Sequence, residues 1–116
     1  MTVEEVGKDL VALCQVGKFE DAVTRYYSPD IVSIEAMGEE KETKGLEAVA
    51  AKGEWWAENH DVHSIEVEGP FVNGDQFTAI MRLDVTFKPE NKRHVMNEVC
   101  LYNVENGKIV REVFFY

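Results

Sequence analysis

The alternation of apolar and polar residues in the second half of the chain constrains the fold more than any other feature of the sequence. This pattern, typical of β-strands whose successive side chains point to opposite faces of a sheet, recurs in four stretches: 62–71, 76–87, 94–104 and 108–116. Turn-forming residues separate the stretches: Asn73-Gly74, Pro89-Glu90-Asn91 and Asn106-Gly107. Because no helical pattern lies between them, we expect an antiparallel meander.

The first half of the chain has a helical pattern instead. Apolar residues recur at three- and four-residue spacing in three segments: 3–17, 19–26 and 45–59. A short apolar strand, 31–36, is predicted between the second and third helices, and it contains one acid, Glu35. Helices followed by a meander predict an α+β fold, and the absence of a Pro/Gly-rich linker predicts a single domain over 1–116.

The charge of the chain narrows the classes of partner. Twelve Lys and Arg residues against 22 Asp and Glu give a net charge of −10, which repels nucleic acid and anionic lipid. No apolar run approaches the ~20 residues of a membrane span, and the first residues do not resemble a signal peptide, so we expect a cytoplasmic protein. Cys14 and Cys100 have no metal-binding spacing, and we expect neither a metal nor another cofactor.

The two faces of the long strands indicate what the sheet contacts. On the strand 76–87 the odd-numbered residues are all apolar, whereas the even-numbered set includes Arg82 and Asp84. On the strand 94–104 the even-numbered set is mixed: His94, Met96, Glu98, Cys100 and Tyr102. We expect the even-numbered residues of both strands to share one face, turned towards the helices around a cavity for a small, mostly apolar organic molecule.

The odd-numbered, apolar face would then be left uncovered by the helices. Its expected members are Met81, Leu83, Val85, Val95, Val99, Leu101, Val113 and Phe115. An apolar patch of this extent exceeds the few hundred Å² that a monomer usually exposes. The pattern therefore predicts a homodimer that buries this face in a twofold contact between sheets.

The geometry of the last turn decides which residues of the final strand join each face. A three-residue loop, 105–107, with Gly107 in a left-handed conformation would pair Cys100 with Glu112. Glu112, Phe114 and Tyr116 would then join the mixed face, with Ile109 on the apolar one. A two-residue Asn-Gly turn would exchange these sets, and we favour the first arrangement because it keeps the apolar face continuous.

Several tracts resemble the nuclear transport factor 2-like superfamily, and within it the SnoaL-like branch. They are Tyr-Tyr-Ser-Pro-Asp (26–30), Lys-Gly-Leu-Glu-Ala-Val (44–49), Glu-Val-Glu-Gly-Pro-Phe-Val-Asn-Gly-Asp-Gln-Phe (66–77), and Asn-Gly-Lys-Ile-Val-Arg-Glu-Val-Phe-Phe-Tyr (106–116). The resemblance covers nearly the whole chain. It implies a cone-shaped, curved antiparallel sheet wrapped around three helices, the cystatin-like α+β barrel, which hosts isomerases, cyclases, epoxide hydrolases and binding modules.

The resemblance transfers catalytic positions unevenly. Glu35 occupies the place of the ketosteroid isomerase general base, but the position of that enzyme's oxyanion-binding tyrosine falls on Leu10, and that of its protonated oxyanion-binding acid falls near Glu98 or Cys100. Arg82-Leu83-Asp84 is similar to the Arg-x-Asp of limonene-type epoxide hydrolases, whereas their second catalytic aspartate falls on Phe114. Each comparison therefore supplies only part of a catalytic site.

Two functions remain open at this point. The first is acid–base catalysis of the isomerase, cyclase or hydratase type, since a desolvated carboxylate can exchange protons near neutral pH; the candidate catalytic acids are Glu35, then Glu112 and Glu98. The second is a non-catalytic binding or scaffold domain, in which the same charges form a buried ion-pair network; an epoxide hydrolase is a further alternative. The candidate ligand-binding residues are Trp56, Arg82, Asp84, His94, Met96, Tyr102, Phe114 and Tyr116.

Overall fold

The computed structural model describes all residues from 1 to 116 and contains three α-helices and six β-strands. The helices are α1 (Val3–Gln15), α2 (Phe19–Tyr26) and α3 (Leu46–Asn59). The strands are β1 (Tyr27–Ile34), β2 (Glu42–Lys44), β3 (His60–Asn73), β4 (Gln76–Phe87), β5 (Lys92–Glu105) and β6 (Lys108–Phe115). The α+β class is confirmed, and the short strand β2 is an element that the sequence pattern did not predict.

The six strands form one sheet in the order β2-β1-β6-β5-β4-β3. The meander from β3 to β6 is antiparallel as expected, but β1 runs parallel to β6, which makes the sheet mixed. The sheet remains open, with β2 and β3 at its edges, so it forms a curved cone rather than a closed barrel. Glu35 lies one residue beyond the end of β1, where its backbone N–H donates to the carbonyl of Lys41.

The helices cover one face of the sheet. A capping box between Thr2 and Glu5 begins α1, which satisfies backbone N–H groups that a helix start leaves free. The helix α1 crosses β3 and β4 closely because it carries Gly7, where a Cβ atom would lie only 2.8 Å from the Cβ of Pro70. The helix α3 lies against β1, and the space between helices and sheet is filled by an apolar core that includes Leu10, Ile31, Phe77 and Ile109.

The register between β4 and β5 corrects the predicted faces. Met81 pairs with Glu98 and Leu83 with Met96, so the odd-numbered residues of β4 share a face with the even-numbered residues of β5. The cause is the loop, which has four residues (88–91), because Lys88 joins the predicted turn residues 89–91 in a 3₁₀ turn that ends at the left-handed Asn91. One extra residue moves every side chain of a strand to the other face. Met81, Leu83 and Val85 are therefore buried core residues and cannot form a dimer interface.

The last hairpin differs from the prediction in register, but most of its residues lie on the predicted faces of the sheet. Asn106 and Gly107, both with positive φ, form a two-residue turn between Glu105 and Lys108. A bulge follows in β6, so Glu112 pairs with Tyr102 and Phe114 with Cys100. The predicted pairing of Cys100 with Glu112 is wrong by two residues. Glu112 and Phe114 nevertheless lie, as predicted, on the inner face, which is the face of the sheet that the helices cover. Ile109, expected on the outer face, precedes the bulge and is buried in the core.

Candidate functional site

A line of polar side chains leads from the surface into the interior of the cone. At its outer end the Tyr116 hydroxyl donates to Glu35 Oε2 over 3.0 Å. Lys52 Nζ, from α3, donates to the other Glu35 oxygen over 2.9 Å and to Ser33 Oγ over 2.7 Å. Exposure falls along this line, from the exposed Tyr116 through the half-buried pair of Lys52 and Glu35 to the fully buried Ser33. One end of the line is therefore open to solvent, while the other end lies in the core.

Glu112 ends this line in the core. Its side chain is 3% exposed, and its Oε1 accepts a hydrogen bond from the Tyr27 hydroxyl over 2.5 Å. Burial raises the pKa of Glu112, while hydrogen bonds from Tyr27 and Ser33 act against that rise. Two donors on a buried carboxyl meet the requirement that buried polar groups be hydrogen-bonded.

Glu98 is a half-buried carboxyl on the same face of the sheet as Glu112. Burial raises its pKa to about 7, and repulsion from Glu35 and then Glu112 adds to the rise. A weak contact from the Cys100 thiol, 3.9 Å from Glu98 Oε1, and the charge of Lys52 act in the opposite direction. Glu98 and Glu112 thus both have a raised pKa, in a cluster that also contains Glu35 and the Lys52 ammonium group.

Lys52 is the important site residue that sequence reasoning missed. Its ammonium group also lies 5.6 Å from the centroid of the Phe114 ring, a cation–π contact. The available signal was its position: Lys52 follows the buried Val49 by three residues and precedes Trp56 by four, so it lies on the core-facing stripe of α3. A lysine in such a stripe indicates a buried or half-buried acid opposite it. Ser33 and Tyr27 were missed as well, since hydroxyl residues in β1 carry no comparable signal.

The inner face brings together several predicted ligand-binding residues. Phe114 and Met96 are half-buried and pack against the core near Lys52 and Glu98 respectively. Tyr102 is deeper, where its ring stacks on Phe77 with centroids 4.9 Å apart. It is thus part of the core rather than of the solvent-accessible end.

Two other predicted residues lie further along the cone. Trp56 stacks on His60 at 4.2 Å between ring centroids and meets Phe19 edge-on, which places it in the helix–sheet contact. His94 is exposed near the start of β5, opposite Val85. Neither forms a hydrogen bond or an ion pair with Glu35, Glu98 or Glu112.

Arg82 and Asp84 lie on the opposite face from the three acids, so the prediction that they share their cavity is wrong. Arg82 contacts Glu68 at 3.4 Å, and Asp84 forms a two-point ion pair with Arg93, each bond 2.9 Å long. The Arg93 hydrogen bonds lower the pKa of Asp84. The Arg-x-Asp similarity to epoxide hydrolases therefore does not place these groups in the interior, because the β4–β5 loop turns them outward.

The surface also shows two open hollows. One of about 610 Å³ lies at the start of α3 beside Pro29 and Leu46. The other, of about 310 Å³, lies where β4, β5 and β6 run side by side and is lined by Ile80, Arg82, Asn97, Glu98, Val99 and Phe115. No three His, Cys, Asp or Glu side chains are arranged to hold a metal ion, and none of the helices has the length and apolar character needed to cross a membrane.

Comparison with known proteins identifies the family. The pattern that defines the SnoaL-like domain matches residues 1–116, so the chain belongs to the SnoaL-like domain family. A protein from Mesorhizobium loti, provisionally described as a SnoaL-like polyketide cyclase and also as a carbohydrate phosphatase, is 47% identical over the full length of both chains, with a TM-score of 0.96. The predicted resemblance to the SnoaL-like branch is confirmed.

More distant structures share the fold. A protein of cystatin-like fold from Xanthomonas campestris is 16% identical, with a TM-score of 0.82 over 99% of this chain and 90% of the other. A provisionally assigned isomerase from Bacillus subtilis is 13% identical, with a TM-score of 0.81 over 98% and 88%. The comparison with curated proteins gives no match.

Proposed function

We propose that this chain is a cofactor-independent acid–base catalyst of the isomerase or cyclase type, acting on a small, mostly apolar organic molecule, with Glu98 as the proton-transferring group. One observation carries the proposal: Glu98, half-buried among two further carboxyls, has a pKa of about 7. A general base works best when its pKa lies near the working pH, because it is then both available and strong enough to accept a proton. The relatives described as cyclases and isomerases would use such proton transfers.

The other two acids have different roles in this proposal. Glu35, the first candidate from sequence, is held by Lys52 and Tyr116 at the outer end of the line. Glu112 is buried, with a raised pKa, and its charged form would be costly in the core. Glu35 therefore acts on Glu98 through its charge, and Glu112 is a buried, hydrogen-bonded neighbour, whereas Glu98 accepts the proton from carbon and returns it.

Deuterium exchange into simple carbonyl compounds tests this function without knowledge of the natural substrate. The wild-type protein is incubated with 2-tetralone and related small ketones in D₂O at pH 7, and the loss of the α-proton signal is followed by NMR. We expect exchange above the uncatalysed rate, and its loss in Glu98→Gln, which keeps the shape but cannot accept the proton. Asp84→Asn, on the opposite face, is the matched control and should retain the activity. Equal exchange rates for wild type and Glu98→Gln would reject the proposal.

A non-catalytic binding module is the second candidate, and a specific observation favours it. Glu35 and Glu112 are already hydrogen-bonded within the chain, as a structural ion-pair network would be. In that case the ketone panel would show binding in NMR chemical shifts without exchange. The cytoplasmic location remains a prediction under either function.

We also propose a homodimer through the outer face, with a membership that differs from the predicted one. Val95, Val99, Leu101, Val113 and Phe115 remain from the expected set, and Ile80 joins them; Val95 is 58%, Val99 38% and Phe115 53% exposed. The helices occupy the other face, so a second copy packed sheet to sheet would cover this patch. Val99→Asp should convert the dimer to a monomer in sedimentation velocity, whereas Val62→Asp, equally exposed on the edge strand β3, should not. A monomeric wild type at micromolar concentration would refute the proposal.

A further inference from the structure

The Lys52 ammonium group has hydrogen-bonding capacity that the chain itself does not use. An ammonium group carries three N–H donors, and two of those on Lys52 are taken by Ser33 and Glu35. Its side chain is 32% exposed, so the third donor can meet a bound molecule. The ring of Phe114, 5.6 Å away, provides an apolar surface beside it.

The neighbouring hydroxyl groups are already engaged. The Tyr27 hydroxyl donates to Glu112, and that of Tyr116 donates to Glu35. Leu10, at the position of the isomerase tyrosine, is buried and has no donor. Lys52 is therefore the cationic donor that this cluster offers to an oxygen atom of a substrate.

We propose that Lys52 binds the carbonyl oxygen of the substrate and stabilises the enolate that forms when Glu98 removes a proton from the adjacent carbon. The substrate class is then a neutral ketone or ester with a hydrogen on the carbon next to its carbonyl group. This inference rests on the proposed function and adds to it the electrophilic residue and the chemical class. A preorganised charge near the developing oxyanion is a large source of transition-state stabilisation.

The proposed step balances in atoms and charge. The C–H electron pair forms the carbon–carbon double bond, the carbonyl π pair moves to the oxygen, and the proton goes to the Glu98 carboxylate. Glu98 becomes neutral as the oxygen becomes negative, so the net charge of the cluster stays constant. The negative charge moves from a half-buried carboxylate to an atom in contact with Lys52. Where the substrate carries a further C=C bond conjugated with the enolate, protonation by Glu98 at the far carbon of that bond completes an isomerisation and restores the carboxylate.

The balance of charge also explains the preference for a neutral substrate. When Glu98 is ionised, as general-base catalysis requires, a ligand that is already anionic would meet Glu35 and Glu98 with only one lysine to compensate them, in a chain of net charge −10. Like charges in a desolvated site repel strongly. A neutral carbonyl compound avoids that cost and develops its charge only during the reaction.

Binding of 4-nitrophenol tests the role of Lys52, because its ionised form resembles an enolate and absorbs visible light. At pH 6 we expect the wild type to bind the probe in its phenolate form, with the proton retained on Glu98. Lys52→Met should weaken binding at least tenfold and leave any bound probe neutral, and Lys52→Gln should show an intermediate loss. Lys44→Met, which removes an exposed lysine of β2, should bind like the wild type. Circular dichroism checks that each variant is folded.

The outcomes separate this inference from the proposed function. Unchanged phenolate binding in a folded Lys52 variant, or a wild type that does not bind the probe at millimolar concentration, overturns the role of Lys52. Glu98→Gln should still bind the phenolate, since the amide replaces the protonated acid, while it loses deuterium exchange. If Glu98→Gln still catalyses deuterium exchange while phenolate binding still depends on Lys52, the proposed function is rejected and the role of Lys52 is retained.

Discussion

The two faces of the sheet carry similar acids in opposite electrostatic situations. On the outer face Asp84 has Arg93 as a two-point partner in solvent, and its pKa is lowered. On the inner face Glu98 lies among other carboxyls with one lysine in range, and its pKa is raised to about 7. These two acids, on neighbouring strands, thus differ in pKa because their side chains point to opposite faces of the sheet. The better-paired acid is the less useful catalyst, since it holds no proton near neutral pH.

The two faces should also respond to pH with opposite sign. An acid with a raised pKa binds its proton more tightly in the folded state, so its contribution to stability falls as pH rises. An acid with a lowered pKa stabilises the folded state at pH values above its pKa in the unfolded chain, and this contribution is lost as pH falls through its pKa in the folded chain. The following substitutions test this contrast, starting with the largest expected effect.

Removal of the buried carboxyl should have the largest effect on stability. Glu112→Ala leaves a cavity and deprives the hydroxyls of Tyr27 and Ser33 of their acceptor. We expect a loss of about 2–4 kcal/mol in the free energy of unfolding, measured by urea denaturation at pH 6. Glu68→Ala, which removes an exposed acid of the outer face, is the control and should change little. Equal losses in the two variants would contradict the contrast between the faces.

Glu98→Gln should change how stability depends on pH. Below pH 4.5 Glu98 is protonated whether the chain is folded or unfolded, and between pH 4.5 and about 7 only the folded chain keeps the proton. The wild type should therefore lose up to about 3 kcal/mol from this group as pH rises through that window. The variant should lack this loss and be the more stable protein at pH 8. A variant whose stability falls with pH as steeply as the wild type's would show that Glu98 is not the group concerned.

The smallest effect is expected on the outer face. Arg93→Ala removes both hydrogen bonds to Asp84, so the pKa of Asp84 should rise towards its ordinary value of 3.8. The change is measured by NMR titration of the Asp84 carboxyl carbon, with Arg82→Ala as a control that leaves this pair intact. Stability at pH 7 should hardly change, because exposed ion pairs contribute little. A large loss of stability would mean that the outer face is covered, as in the proposed dimer.

The sequence predicted the elements well and their faces only in part. Periodicity identified all three helices and the four long strands, because amphipathic patterns extend over many residues. The faces depend on single residues in two short loops: the loop 88–91 contains Lys88 in addition to the predicted turn residues, and the bulge after Gly107 adds another residue in β6. Such local geometry is weakly encoded, and the first difference moved Arg82 and Asp84 out of the predicted site.

The site itself was predicted by residue type more than by arrangement. Glu35, Glu98 and Glu112 do influence one another, as the mixed pattern of apolar residues and acids suggested. The order among them depends on burial and on Lys52, and a sequence shows neither the depth of a side chain nor which acid the lysine contacts. Glu35 ranked first because the resemblance places it where the ketosteroid isomerase base lies, whereas the proposed function rests on the burial and neighbouring charges of Glu98.

Titration of Glu98 tests the central claim most directly. The side-chain carboxyl carbons are labelled with ¹³C, and their chemical shifts are followed from pH 3 to pH 9, with Glu98→Gln to assign the signal. We predict a midpoint at about pH 7, which should fall when Glu35→Gln removes a neighbouring negative charge. A midpoint near the ordinary value of 4.5, unchanged by Glu35→Gln, would contradict the claim that the inner face separates one acid for proton transfer at neutral pH.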